Sequence, residues 1–270
     1  MTSRFKDMPA SLRNAAKWER IGRSEVPVML VHPDWNSGAQ APVMIWLHGR
    51  TASKEIDPGR FLRWMRAGIG ACAVDLPGHG ERFDSKLQES AAVLDVVAQM
   101  VSELDDLVSA LGANSNFDIS RIGLGGMSAG GMAALVRLCS PHAFTCASVE
   151  ATSGNWRPQR DRVRFQERSE EELEAMDPIR HLDTWREIGF QAIHARGDQW
   201  MDFNTQEAFV HALRERYTNS ENVEWIVYDH TGAPYEHIGF GRMATDAKNR
   251  QAEFLQRWLL SGLKQGPVAQ

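Results

Sequence analysis

The sequence predicts an α/β fold with a mainly parallel central sheet and helices on both of its faces. Two observations carry this prediction. Continuous apolar runs, typical of parallel strands covered on both sides, alternate with stretches whose apolar residues recur at helical spacing. Near the middle of the chain, one apolar run turns sharply into a helix of small residues at Ser128. Strands that alternate with helices in this way form parallel sheets through crossover connections, so one layered domain is expected.

The first half of the chain predicts a lead-in followed by three strands and two helices. Residues 1–24 hold a few apolar residues among charges and predict a partly helical lead-in to a single domain over residues 25–262. Residues 26–31 are a short apolar run in which Pro27, which has no N–H, indicates an edge strand. The other predicted elements are strands at 42–47 and 69–74 and helices at 58–67 and 90–111, the last ended by Gly112.

The second half continues the alternation with one interruption. Residues 155–186 are rich in arginine and glutamate, and we expect them to form a small insertion or lid rather than a second domain. Gly262 and Pro267 are expected to close the chain. The regular elements are predicted as strands at 119–125, 143–150, 188–195 and 223–228, and as helices that end near 139 or span 205–216 and 244–260.

Composition excludes several classes of function. The 270 residues carry a formal net charge of −5 and no basic stripe, so no nucleic-acid partner is expected. No apolar segment follows the N-terminus and no window approaches the roughly 18 apolar residues of a membrane span, so no membrane partner is expected either. Three widely spaced cysteines in apolar runs indicate buried reduced thiols and a cytoplasmic location: Cys72, Cys139 and Cys146. A homo-oligomer is compatible with all of this.

The turn at Ser128 carries the main functional signal. The frame Gly126-Met127-Ser128-Ala129-Gly130 is a G-x-S-x-G nucleophile elbow, in which the serine takes a strained backbone conformation between a strand and a helix. A dinucleotide-binding G-x-G-x-x-G would need glycine in place of Ser128, and no Gly-Lys-Ser/Thr follows to form a phosphate loop. The remaining alternative is a glycine-rich tight turn with an incidental serine.

Two later strands end near candidate partners for Ser128. Asp198 follows the strand at 188–195, and His237 follows the strand at 223–228. Open parallel sheets place functional groups at the carboxyl ends of their strands, so the three side chains are expected to meet. The chain order Ser, Asp, His is one that supplies a nucleophile, an orienting acid and a general base.

Other residues compete for two of these roles. His230 follows its strand so closely that no loop remains to carry the imidazole back toward Ser128, so His237 is the preferred base. Asp202 is expected to cap the next helix, which leaves Asp198 as the preferred acid and Glu150 as the fallback.

These motifs together resemble the α/β-hydrolase superfamily over about residues 25–262. His48-Gly49 resembles the family's oxyanion loop, and the segment from Asp75 to Gly80 resembles its D-x-P-G-x-G turn. The segment from Ala195 to Asp198 resembles its acid loop. The Gly-Met-Ser-Ala-Gly-Gly elbow and the small lid are similar to the dienelactone-hydrolase-like and prolyl-oligopeptidase-like esterase branch.

The resemblance implies a serine hydrolase with an α/β-hydrolase fold. Ser128 would attack the acyl carbon, His237 would accept its proton, and Asp198 would hold the imidazole tautomer. Backbone N–H groups of Arg50 and Ala129 would bind the oxyanion.

The expected activity is therefore hydrolysis of small carboxylic esters, with no cofactor and no metal. Two alternatives stay open: a peptidase of short peptides, and a non-catalytic relative that only binds a ligand. Labelling by a fluorophosphonate probe would distinguish the two catalytic hypotheses, esterase and peptidase, from the non-catalytic one.

Side chains near the strand ends are candidate pocket residues. Met127, Trp200 and Met201 are expected as walls, whereas His79 either lines the pocket or fixes its own turn. The small, charged insertion predicts a limited pocket suited to acyl chains of about two to four carbons. Its arginines are expected to form a solvated face or to meet an anionic substrate: Arg157, Arg160 and Arg164.

Overall fold

The computed structural model describes residues 8–260 and shows one eight-stranded, mostly parallel sheet with helices on both faces. This is the α/β-hydrolase-like architecture that the sequence predicts. The expected roles of Gly262 and Pro267, and the outer ends of the predicted lead-in and domain, lie outside the described residues.

The strands follow the order β1-β2-β4-β3-β5-β6-β7-β8 across the sheet. The two contacts of β2 are antiparallel, and all the others are parallel. Their bounds are β1 Ala16–Ile21, β2 Val26–Val31, β3 Ala41–Leu47, β4 Gly70–Val74, β5 Phe117–Met127, β6 Cys146–Glu150, β7 Gly189–Ala195 and β8 Val223–Tyr228. The carboxyl ends of β5, β7 and β8 lie along one edge, where the candidate residues were expected.

Helices connect the parallel strands and pack on the sheet. They are α1 Ala10–Ala15, α2 Pro58–Arg66, α3 Val93–Ala113, α4 Ala129–Leu138, α5 Val163–Gln166, α6 Glu170–Met176, α7 Phe203–Arg216 and α8 Ala244–Leu255. Helix α8 continues as a wider turn over Gln256–Leu260. None of the helices within residues 8–260 combines the length and apolarity needed to cross a bilayer.

The predicted lead-in contains a strand of the sheet. After the short helix α1, strand β1 pairs antiparallel with β2 over its whole length, so β2 is not the edge strand that Pro27 indicates. In an antiparallel ladder the N–H and C=O of one residue face the same neighbour. The carbonyl of Pro27 accepts the N–H of Asp75, and the Asp75 carbonyl, which an N–H at position 27 would face, accepts from Arg82 Nε instead.

The insertion at 155–186 forms short helices that pack against the main core. The rings of Trp156 and Phe165 are fully buried and stack 5.7 Å apart. Asp177 accepts hydrogen bonds from the backbone N–H groups of Trp156 and Arg157, and burial raises the pKa of this carboxyl to about 6. The insertion is therefore a fixed cap over one side of the domain.

The cysteines form no disulfide. Cys72 and Cys146 are buried, whereas Cys139 is only half-buried, at the end of α4. Burial raises the pKa of the Cys139 thiol to about 12, so it stays protonated at neutral pH.

Candidate active site

Ser128 lies at the apex of the turn from β5 into α4. Its φ of 52° and ψ of −118° are a conformation that residues with a Cβ rarely adopt. A Cβ on Gly126 would lie 2.6 Å from the carbonyl oxygen of Leu47, and a Cβ on Gly130 would lie 2.2 Å from the same atom. Both glycines are thus required for α4 to pack this closely on β3.

The imidazole of His237 connects Ser128 to Asp198. Its Nε2 lies 3.0 Å from the Ser128 hydroxyl, and its Nδ1 lies 2.8 Å from a carboxylate oxygen of Asp198. The ring is buried and contacts the indole of Trp200, with ring centroids 4.8 Å apart. The structure therefore brings the three predicted side chains together in the predicted order.

The carboxylate of Asp198 is held on both of its oxygens. One accepts the backbone N–H groups of Trp200 and Met201, each at 2.8 Å, and the other faces His237. The buried His194 places its Nε2 3.4 Å from that second oxygen and 3.2 Å from the Met201 carbonyl. Burial lowers the pKa of His194, which favours the neutral form of this core histidine.

The loop that carries His237 is organised by Glu236. The Glu236 carboxylate accepts hydrogen bonds from the hydroxyl and backbone N–H of Thr231 and from the N–H of Gly232, and these donors lower the pKa of Glu236 to about 2. His230 pairs with the same carboxylate at 2.7 Å and has an exposed side chain. His230 thus stabilises the loop and does not contact Ser128.

The competing acids have other partners. Asp202 caps α7 by accepting the N–H of Asn204, as the sequence predicts. Glu150 ends β6 but binds Arg60 through both of its oxygens. Neither carboxylate contacts His237.

The two predicted oxyanion donors lie on either side of Ser128. Ala129 begins α4, and the first N–H groups of a helix have no acceptor inside it. Arg50 follows Gly49, whose added Cβ would lie 3.5 Å from the Cβ of Ser128. Arg50 and Ala129 both line the same cavity as Ser128.

His48 fixes the loop that leads to Arg50. Its Nδ1 donates to the carbonyl of Gly49 at 2.7 Å, and its Nε2 accepts the N–H of Leu76 at 3.1 Å. Burial lowers the pKa of His48 to about 4, which keeps the ring neutral and suited to this donor and acceptor pair. The histidine is a structural residue, as its position before Gly49 indicates.

Of the two roles predicted for His79, the structure shows that it fixes its own turn and does not line the pocket. It is buried, its Nδ1 donates to the carbonyl of Pro77, and its ring packs 5.5 Å from that of His48. It does not belong to the cavity lining. His79 fixes its own turn because the turn directs the ring toward the protein interior.

A cavity of about 830 Å³ opens beside Ser128. The predicted walls Met127, Trp200 and Met201 all line it. This volume lies in the range of sites that hold drug-sized ligands, and it exceeds what an acyl chain of two to four carbons needs. The expectation of a small pocket is therefore wrong. A sequence can suggest which residues line a pocket, but it does not give the distances between them.

Several lining residues have no local signal in the sequence. Arg60 and Lys248 come from α2 and α8, which are far apart in the chain, and Arg50 contributes a side chain as well as a backbone N–H. Tyr235 stacks on Trp200 with ring centroids 5.0 Å apart. Tyr235 itself is not part of the lining, so it contributes through its contact with Trp200.

Comparison with protein families gives one match over most of the chain. The model of the prolyl oligopeptidase family matches residues 61–264. No curated protein matches this sequence.

Solved structures share the architecture. TT1662 from Thermus thermophilus has a TM-score of 0.71 and 20% identity, covering 90% of this chain and 98% of its own. The esterase Pf2001 from Pyrococcus furiosus has a TM-score of 0.63 and 20% identity, with 93% and 96% covered. A puromycin-hydrolyzing peptidase from Mycobacterium tuberculosis has a TM-score of 0.74 and 16% identity, with 91% of this chain but 40% of the peptidase covered. At these identities the likeness establishes the fold.

Proposed function

The chain belongs to the prolyl oligopeptidase family of serine hydrolases, and we propose that it hydrolyses small carboxylic esters with Ser128, His237 and Asp198 as its catalytic triad. The observation that carries the proposal is the continuous chain of hydrogen bonds from Asp198 through His237 to Ser128, at 2.8 and 3.0 Å. These are the contacts that make a serine hydroxyl nucleophilic.

The proposed reaction proceeds in two halves. Ser128 Oγ attacks the ester carbonyl carbon while His237 Nε2 takes the hydroxyl proton, and the resulting tetrahedral oxyanion accepts N–H bonds from Ala129 and Arg50. His237 then returns the proton to the departing alcohol, which leaves an acyl-enzyme. A water molecule, deprotonated by the same Nε2, attacks the acyl carbon and releases the carboxylic acid.

Asp198 acts in this scheme through His237. Its carboxylate fixes the Nδ1–H tautomer, so that the Nε2 lone pair faces the serine, and stabilises the imidazolium that forms in each half. The two backbone donors on its other oxygen hold the carboxylate in its orientation toward His237.

Ester hydrolysis is preferred over peptide hydrolysis on the evidence of size and leaving group. The similar structure that is named an esterase is covered almost completely by this chain, whereas the named peptidase is covered by less than half. An ester also needs less help in expelling its leaving group than an amide does. Hydrolysis of short peptides is the second candidate, supported by the family match and by that peptidase.

Covalent labelling and turnover test the proposal together. A fluorophosphonate probe should modify the wild-type protein at Ser128, and the Ser128→Ala variant should stay unlabelled and lose several orders of magnitude in turnover with its fold intact. Retained labelling of that variant would contradict the assignment of the nucleophile.

A matched pair of substrates separates the two activities. We expect hydrolysis of p-nitrophenyl butanoate and much slower hydrolysis of the corresponding p-nitroanilide. Faster release from peptidyl anilides than from any ester of similar size would favour the peptidase.

A further inference from the structure

The charges that line the active-site cavity divide into two groups. Acidic and basic side chains at one end neutralise each other: Arg60 lies 2.6 Å from Glu150 and 3.2 Å from Asp57, and Lys248 lies 2.6 Å from Asp57. Two positive charges thus meet two negative charges, and this end needs no ligand for charge balance.

Three further arginines line the cavity and form an arginine cluster: Arg50, Arg162 and Arg164. Within residues 8–260, no carboxylate lies within ion-pair distance of any of them. Each guanidinium instead donates to a backbone carbonyl: Arg50 to Gln88, Arg162 to Gln199 and Arg164 to Trp200. None of the three arginines therefore forms an ion pair with a described residue, and the nearby Asp198, whose charge acts on Arg164, is hydrogen-bonded to His237.

Arg164 is the least solvated member of the cluster that still has a free donor. Its Nε is buried and has no hydrogen-bond partner among the described residues. Burial, together with the neighbouring charges of Arg162 and Arg50, lowers the pKa of Arg164 to about 10. A half-buried guanidinium without a carboxylate partner is costly, and an anion bound at Nε would remove that cost.

Arg164 has a fixed position relative to the nucleophile. It donates to the carbonyl of Trp200, whose ring packs 4.8 Å from the imidazole of His237. Arg50 follows Gly49, the residue that packs against Ser128. Both arginines line the same cavity as the serine.

The neighbouring arginines of the insertion that do not line the cavity have acidic partners. Arg157 and Arg160 pair with Glu170 at 3.0 and 3.6 Å, and Arg168 pairs with Asp95. Among the five arginines of residues 157–168, the two that line the cavity are thus the two without an acidic partner in the described part of the chain. A merely solvated basic face would not show this division.

We propose that the arginine cluster binds a carboxylate of the substrate, so that the natural substrate is an ester that also carries a free carboxylate group. This inference rests on the proposed ester hydrolysis and narrows it to one class of ester. Arg164 offers the principal contact, because a guanidinium edge with a free Nε–H matches a planar carboxylate. Arg50 and Arg162 add positive charge to the same cavity.

Binding can be measured without turnover. Calorimetric titration of the Ser128→Ala protein with monomethyl glutarate and with monomethyl glutaramate compares a carboxylate with an uncharged amide of the same shape. We expect the carboxylate to bind at least about tenfold more tightly. In the Arg164→Met background this preference should disappear, whereas Arg157→Met, which removes an outward-facing arginine of the same insertion, should retain it.

The outcomes distinguish this inference from the proposed function. Equal binding of the two ligands, no binding of either, or the same loss in Arg157→Met would overturn the carboxylate site. Tighter binding of inorganic phosphate than of monomethyl glutarate would overturn it in favour of a phosphate site. If Arg164→Met does not fold by circular dichroism, Arg50→Met replaces it, with a reduced preference expected.

Kinetics of the protein with Ser128 intact provide the second readout. The ratio of kcat/KM for monomethyl glutarate to that for monomethyl glutaramate should exceed about ten in wild type and fall in Arg164→Met. Hydrolysis of both esters at equal rates would overturn the inference and leave the esterase proposal standing. Selective binding of the carboxylate without hydrolysis of any ester would support the carboxylate site and overturn the esterase proposal.

Discussion

Glu150 and Arg60 form a buried two-point ion pair, with the carboxylate oxygens 2.6 and 2.8 Å from the guanidinium nitrogens. Glu150 ends the strand next to β5, close enough in the sheet to compete with Asp198 for the role of acid. Its pairing with Arg60 removes it from that competition. Gln251 completes the arrangement by donating to both Glu150 and Ser148.

Replacing the carboxylates of Asp198 and Glu150 by amides should therefore affect different properties, activity in the first case and stability in the second. Asp198→Asn should keep the fold and lower kcat by about four orders of magnitude, because the amide favours the wrong tautomer of His237. Glu150→Gln should instead lower the free energy of unfolding by on the order of 3 kcal/mol, since Arg60 loses its main counter-ion. Urea denaturation and ester kinetics on both variants test this. An inactive but fully stable Glu150→Gln protein would transfer the catalytic role to Glu150.

The two histidines of the last loop should differ just as clearly. His237→Ala should lose activity by several orders of magnitude, because no other imidazole reaches Ser128. His230→Ala removes an ion pair between an exposed ring and Glu236, and such pairs contribute at most about 1 kcal/mol. Its kcat/KM should stay close to that of wild type. If His230→Ala is the inactive variant, the base has been assigned to the wrong histidine.

A methyl group at Gly130 should disrupt the elbow. The new Cβ would lie 2.2 Å from the carbonyl oxygen of Leu47, so α4 must move and Ser128 with it. We expect a loss of about 1–3 kcal/mol in stability and a large loss of activity. Gly59→Ala in α2 is the matched control, because its Cβ would meet only side-chain atoms of Arg63 and Asp57, at 3.4 and 3.9 Å. That control should be neutral or gain up to about 1 kcal/mol. Equal effects in the two variants would show that the close approach at Gly130 is not limiting.

Stability should decrease as the pH falls below the ordinary pKa of histidine. Burial lowers the pKa of His48 to about 4, so between about pH 6.5 and 4 the unfolded chain binds the proton more readily than the folded one. The stabilisation is fully present above 6.5 and is lost on acidification, by at most about 3 kcal/mol for this residue.

The matched variant isolates the contribution of His48. Urea unfolding at pH 7 and pH 5 should show a smaller decrease in His48→Gln than in wild type, because glutamine does not titrate. Asp177, whose pKa is raised to about 6, has the opposite effect in this pH range, but it does so equally in both proteins. An identical decrease in both proteins would show that His48 is not the responsible group.

The features that the sequence predicts correctly are those that local chemistry determines. The elbow is recognisable because glycine is the only residue type that fits beside Leu47 at Gly126 and Gly130. A requirement for one residue type at fixed positions produces a sequence motif. The preference for His237 over His230 follows from chain length alone, since only His237 has a loop long enough to return to Ser128. The buried strands are visible because parallel strands are apolar on both faces.

Features that depend on distant neighbours are less visible. Strand β1 is half-exposed and carries Lys17, Glu19 and Arg20, so it lacks the apolar run of an interior strand. Pro27 suggests an edge, but its effect depends on which neighbour its backbone faces. The cavity volume and the division of its charges arise from side chains of α2, α8 and the insertion, and no local pattern reports their distances.

The hydrogen bonds from Arg162 and Arg164 to the carbonyls of Gln199 and Trp200 tie the insertion to the loop that holds Asp198. The N–H groups of Trp200 and Met201 orient that carboxylate, and the Trp200 ring covers His237. Widening the cavity mouth by moving the insertion would therefore also disturb the proton relay. The width of the cavity and the position of the His237 ring are thus coupled through one loop.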